Sequence, residues 1–199
     1  SQLPTLQGAE LAPDAPGAAA QHYRRVRLQG RWVPERTVYL ENRTLNGQAG
    51  FIVITPLELD AGAGHAIVQR GWVARDFGDR TRLPALVSAS EAIAVEGIVA
   101  PAPSRLFEFA GPAPGGPIRQ NLDLAAYATE TGLALRPLTI QQTDDAINRG
   151  DGLLRQWPRP AVDVHKHYGY AAQWFALAAL ITGLYVWFQL IAPRIRARR

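Results

Sequence analysis

Two of the chain's four histidines, His165 and His167, flank its only lysine, Lys166, directly before the charge-free run from Tyr168 to Ala192. Imidazole is the commonest metal-binding side chain and the one that titrates near neutral pH, so its placement at the lip of an apolar segment is the first chemical question. On a helix, side chains two residues apart point about 200° from each other, so the pair cannot grip one small ion from a single side. The remaining histidines, His22 and His65, add no i, i+4 pairing of the kind a metalloenzyme uses. A larger, flat cofactor makes other demands. If a helix begins near Asp163, His167 shares a face with Tyr170, Ala171, Trp174 and Ala178. That face combines an axial nitrogen, small residues and aromatic rims, which suits a haem. The competing reading makes His167 an interfacial histidine and Trp174 part of an aromatic belt.

A second chemical candidate is Arg70-Gly71-Trp72, in a predicted strand. Alternation places Arg70 and Trp72 on one face, where a guanidinium stacks on an indole or pairs with an anionic group. A stack internal to the domain and a ligand contact are both open. Gln173 and Gln189 are polar interruptions of the apolar run; Gln173 calls for a neighbouring helix, and Gln189 is also compatible with the membrane interface. No enzyme signature accompanies these residues. The chain has no G-x-S-x-G and no cysteine, Asp60-Ala-Gly-Ala-Gly64 lacks the lysine of a phosphate loop, and Asp144-Asp145 reads as a turn.

The elements that must position these residues follow from composition. The run from Tyr168 to Ala192 is long enough to cross the roughly 30 Å hydrocarbon core, with Tyr168, Tyr170 and Trp174 at one end and Tyr185 and Trp187 at the other. It predicts a transmembrane helix over 165–192. Arg194, Arg196, Arg198 and Arg199 follow without an acid, so that end is expected in the cytoplasm and the preceding domain on the outer face. These four arginines account for the whole formal charge of +4. The rest of the chain is balanced and lacks the electrostatic footprint of a nucleic-acid binder. With neither Cys nor Met, the chain can form no disulfide and offers no thiolate or thioether for Cu(I). The lack of Met also implies that Ser1 is not the translational start, with a signal sequence or a first membrane anchor expected upstream.

Residues 1–22 are small, polar and proline-bearing, and read as a mobile leading segment. Residues 23–147 read as a β-rich extracytoplasmic domain. Period-two alternation from Tyr23 to Val33 is followed by strand candidates at 36–42, 50–56, 65–73, 91–100 and 137–144, with Asn46-Gly47 as a hairpin turn. The predicted class is α+β, an antiparallel barrel or sandwich with one short helix near Leu122 to Thr131. Asn121 is its expected N-cap, Asp123 favours the positive end of its dipole, and Gly132 is its stop. Residues 148–164 read as a juxtamembrane linker and 193–199 as the basic tail.

Three stretches in order, GFIVITPLEL (50–59), AIVQRGWVARD (66–76) and HYGYAAQWFALA (167–178), resemble the Surfeit locus protein 1 family of cytochrome c oxidase assembly factors. The resemblance runs over roughly residues 23 to 192. Gln69 and Ala74 depart from the asparagine and proline frequent in the family, and a tryptophan common near the start of the short helix is missing from IRQNLDLAAY. It implies two membrane helices flanking the outer domain, the first upstream of this sequence, in a bacterial plasma membrane or a mitochondrial inner membrane. It also implies a non-enzymatic role in haem a insertion or maturation of the oxidase core subunit, with that subunit and the haem a biosynthesis machinery as partners. His167 becomes the haem-iron ligand, with Tyr170 and Trp174 beside the ring. Arg70, Gly71, Trp72 and Gln173 become structural or partner-contacting residues. The alternative is an interaction module or accessory subunit of the oxidase that never touches haem.

Overall fold

The computed structural model describes residues 3–76, 78–79, 82–107, 116–144, 150–157, 164–187 and 189. The chain divides into two compact units, Ser1–Trp157 and Pro158–Arg199.

The described residues of the first unit form eight strands: β1 (Leu6–Gln7), β2 (Arg25–Trp32), β3 (Val38–Leu45), β4 (Gln48–Leu59), β5 (His65–Ala74), β6 (Ile93–Ala100), β7 (Ile118–Arg119) and β8 (Leu135–Gln142). Their order is β1-β2-β6-β8-β5-β4-β3-β7, and β2 also pairs with β4. That second pairing closes β2, β6, β8, β5 and β4 into a barrel. It is possible because β4 is twelve residues long, with Val53 and its neighbours paired to β3 and Leu57–Leu59 paired to β2. β2 shows the expected alternation without a break, its even-numbered residues buried and its odd-numbered ones exposed. Asn46 and Gly47 both take positive φ, as the two-residue hairpin between β3 and β4 requires.

The sheet is mixed rather than antiparallel. β5 runs parallel to β8, and β1–β2 and β3–β7 are also parallel. The β5-to-β8 connection is long enough for a crossover and includes helix α2 (Leu124–Thr131). Asp123, not Asn121, is its N-cap, accepting from Ala126 N at 3.0 Å, while Gly132 ends it in the left-handed region. Asn121 is committed elsewhere: its carboxamide clamps both backbone groups of Leu106.

Residues 3–22 are part of the packed unit, contrary to the mobile segment read from their composition. Leu6 sits in β1, and Leu11, Ala12 and Ala18 join Val26, Leu28, Val68, Val95 and Ile140 in the barrel core. A helix α1 (Ala15–Gln21) is capped by Asp14 through Gly17 N at 2.8 Å. Its residues are too small to print a helical period, but their size lets the chain approach the barrel closely. A second cluster places Tyr127 of α2 and Leu122 on Val38, Leu40, Ile54 and Ile67, and a third gathers Tyr39, Phe51, Val53 and Leu153. The last residue also corrects the linker expectation. Residues 151–157 return to the first unit, where Leu154 exchanges two backbone hydrogen bonds with Trp72.

The second unit contains helix α3 (Val164–Val186). Among the described residues no helix is long and apolar enough to cross a membrane. The span expected over 165–192 is therefore not borne out by them. Every described side chain from Gln173 to Tyr185 is exposed. The side chains of residues 165–172, His165, His167 and Tyr170 included, lie outside the described residues, as does the arginine tail.

Candidate functional site

The most unusual chemistry of the first unit is at one end of the barrel. Along β5 the alternation sends Ala66 and Val68 into the barrel core and Ile67 onto the α2 side. Gln69 donates to Thr139 Oγ1 at 2.7 Å. Arg70 comes next on the inward side. A register shift in the β4–β5 ladder then pairs Ile54 with Gln69 and Val53 with Gly71, leaving Arg70 as the extra residue of a bulge. Bulges re-aim side chains, and this one separates two residues that simple alternation would have kept together. Arg70 lies over the ring of Trp32, its Cζ 4.5 Å from the centroid. Trp72 instead pairs with Ile52 and donates from Nε1 to Arg43 O at 2.8 Å. The shared face expected for Arg70 and Trp72 is thus undone by one residue of register, and the arginine's aromatic partner is Trp32.

Arg70 is 3% exposed, and burying a guanidinium is costly unless its donors are occupied. Nη1 donates to Ser88 Oγ at 2.7 Å and Nη2 to Val87 O at 2.9 Å. Nη2 also lies 3.9 Å from Asp151 Oδ2. Asp151 is held in turn by Arg155, through Oδ1 at 3.3 Å and a shorter contact from Nη2 to Oδ2, and it accepts from Leu153 N at 3.1 Å. One buried carboxylate is therefore shared by two buried guanidiniums. Gly71 allows this packing: a Cβ there would come within 2.8 Å of Leu153 Cβ, and its φ of 155° is disfavoured for other residues. Trp157 completes the arrangement by donating to Gln142 O at 2.7 Å.

These groups line a cavity of about 270 Å³, walled by Trp32, Arg70, Val87, Ala89, Ile93, Gln142 and Asp151. The end of β2, the start of β6 and the end of β8 converge there, so the cavity is the mouth of the barrel. Its lining combines fixed charges, an indole and aliphatic walls. Nearby, burial pushes the Tyr39 phenol above its ordinary value, against the pull of the Arg70 charge.

Elsewhere, Arg119 makes a two-pronged pair with Glu130 at 2.8 and 2.5 Å and lies over the ring of Tyr127. The hydrogen bond from Arg119 holds the Glu130 carboxyl below its usual range, and burial pushes Tyr127 up to about 12. The Tyr127 hydroxyl donates to Arg36 O, pinning α2 to the turn before β3. His22 packs edge-on to Tyr23, and His65 opens β5 with its N–H bonded to Ala134 O. Among the described residues no group of three or more His, Cys, Asp or Glu is placed to hold a metal ion.

Of the residues singled out from sequence, Arg70 and Gly71 belong to the barrel mouth, whereas Trp72 is directed to β3. Trp174 and Gln173 lie exposed on α3 in the second unit. Sequence reading missed Trp32, Gln142, Asp151 and Arg155. Trp32 and Gln142 fall in predicted strands, where alternation alone gives them no role. Asp151 and Arg155 are four apart, an ion-pair spacing, but sat in a stretch read as linker.

A family model described as the SURF1 family matches residues 2–179. No curated protein matches the chain.

Proposed function

The chain belongs to the SURF1 family, which is associated with cytochrome c oxidase assembly, and from that premise we propose that it is a membrane-anchored, non-enzymatic factor assisting haem a insertion or maturation of the haem-copper core subunit. The observation that carries this reading is α3. Trp174 is 69% and Phe175 76% exposed, and Leu180, Ile181 and Tyr185 are exposed as well. Water penalises such surface at roughly 25 cal/mol per Å², so the helix calls for lipid or a partner helix. Its sequence continues without charge to Ala192, a length suited to a bilayer.

In this reading the arginine tail stays in the cytoplasm, and the β unit faces the periplasm of a bacterial plasma membrane, or the equivalent side of a mitochondrial inner membrane. Positions 167, 171, 174 and 178 fall along one side of a helix. Haem, when bound, supplies an iron that accepts an axial imidazole and a macrocycle that needs apolar cover. His167 would hold that iron, Tyr170 and Trp174 would cover the ring, and Gln173 would reach a neighbouring helix. The partners are the oxidase core subunit and the machinery that makes haem a.

The test is the haem a content of the full-length protein purified from cells that synthesise haem a, beside His167→Ala and His165→Ala. Loss in the first variant alone is the expected result; equal content in all three removes His167 from the mechanism. Stoichiometric copurification with finished oxidase, without haem of its own, would favour an accessory subunit instead.

A further inference from the structure

We propose that Arg70 latches together two segments that lie outside the strand ladders, the 82–92 loop and the 150–157 strap, so that both open as one while the barrel stays folded. Among the described residues, none from Leu83 to Ala92 takes part in a backbone–backbone hydrogen bond. The polar hold on this loop is one side chain: Arg70 donates from Nη1 to Ser88 Oγ at 2.7 Å and from Nη2 to Val87 O at 2.9 Å. The strap is little better tied. Among the described residues its backbone bonds to the barrel are the two exchanged by Leu154 and Trp72, at 2.7 and 2.8 Å.

Two features join these segments to each other. The Nη2 of Arg70 that donates to Val87 O also lies 3.9 Å from Asp151 Oδ2 of the strap. Leu83 and Leu86 of the loop pack against the apolar cluster that contains Leu153 of the strap. Once the loop departs, water takes its place on the guanidinium and weakens the attraction to Asp151, which is strong only in a low dielectric. Once the strap departs, a buried guanidinium has lost its counter-charge, a costly state. Each opening therefore favours the other, and such coupling is reciprocal.

Val87 and Ala89 of the loop and Asp151 of the strap all line the cavity of about 270 Å³ at the barrel mouth, so joint opening removes its wall from two sides. The strap is also the chain's exit from the first unit, which ends at Trp157. Arg70 thereby links the state of the mouth to the segment that leads into the second unit. Segments with few ladder bonds and little buried apolar contact are those that open well below the global unfolding free energy.

The experiment is native-state amide exchange, read by NMR on the full-length protein in detergent, beside Ser88→Ala and the hydroxyl-keeping Ser88→Thr. Ser88→Ala alters the loop alone. It is expected to speed exchange of the Leu154 and Trp72 amides about tenfold, the scale of one hydrogen bond to a charged group, and to leave the Ile140 amide of the barrel core unchanged. Ser88→Thr is expected to restore the slow exchange. In the unaltered protein, exchange at Leu154 is expected to respond weakly to low urea and that at Ile140 strongly, because local opening exposes little surface. Unchanged exchange at Leu154 and Trp72 in Ser88→Ala, or equal acceleration at all three amides, would overturn the latch. So would an equal urea response of Leu154 and Ile140 in the unaltered protein, which decides the matter should Ser88→Ala not fold. None of these outcomes bears on the haem measurement with His167→Ala, so the two readings fail separately.

Discussion

The barrel mouth and helix α3 solve opposite problems. At the mouth, charged side chains are buried, and the chain supplies their partners itself: Arg70 has Trp32, Ser88, Val87 O and Asp151, and Asp151 has Arg155. On α3, apolar side chains are exposed, and the described residues of that unit supply them with no cover. The first region is explained by contacts within the molecule. The second has no such partners among the described residues of its own unit.

The most direct way to break this contrast is to make α3 polar. Replacing Phe175, Leu180, Ile181 and Leu184 together by Gln is expected to move the chain from the membrane fraction to the soluble one while the β unit melts at an unchanged temperature. Fractionation and a circular-dichroism melt read the two outcomes. A lowered melting temperature would mean that α3 contributes to the β unit's stability.

A smaller effect sharpens the other side. Asp151→Ala leaves two buried guanidiniums without their shared carboxylate and is expected to cost ~3–5 kcal/mol of unfolding free energy, the range for breaking a buried ion pair from one side. Urea unfolding followed by tryptophan fluorescence measures it. A cost below ~1 kcal/mol, the scale of exposed pairs, would mean that the mouth is wet and the contrast with α3 overstated.

The smallest effect is alkaline. Tyr127 is pushed up to about 12 in the folded chain, chiefly by burial, from an ordinary value of 10.0. The unfolded chain therefore releases this proton first. The stabilisation is fully present below pH 10 and is lost as pH rises towards 12, by ~2–3 kcal/mol for two units. Tyr127→Phe is expected to flatten that part of the pH profile and to lose the bond to Arg36 O at neutral pH. An identical alkaline slope in both proteins would show that Tyr127 does not titrate with unfolding.

The two regions also differ in how far they could be read beforehand. Six of the eight strands were legible because half-buried strands alternate with period two, as from Arg25 to Trp32. α2 was legible from its acidic start and Gly132, although its cap was displaced by two residues. The two-residue strands β1 and β7 are too short to carry a period, and α1 is made of alanine, glycine, proline and glutamine, whose faces differ little in hydropathy. The long uncharged run of α3 was evident, but its surroundings are not a property of the run.

The sequence by itself determined a β-rich unit, a charge-balanced body with a basic tail, an apolar C-terminal helix and the family, because periodicity, charge and ordered motifs are local quantities. The tertiary structure alone decided that Arg70 turns from Trp72 to Trp32, that Asp151 and Arg155 come back to meet it, and that Gln142 lines a cavity. Those outcomes depend on one bulge in the β4–β5 register and on barrel closure between β2 and β4. Both are pairings between distant strands, which no window of neighbouring residues contains.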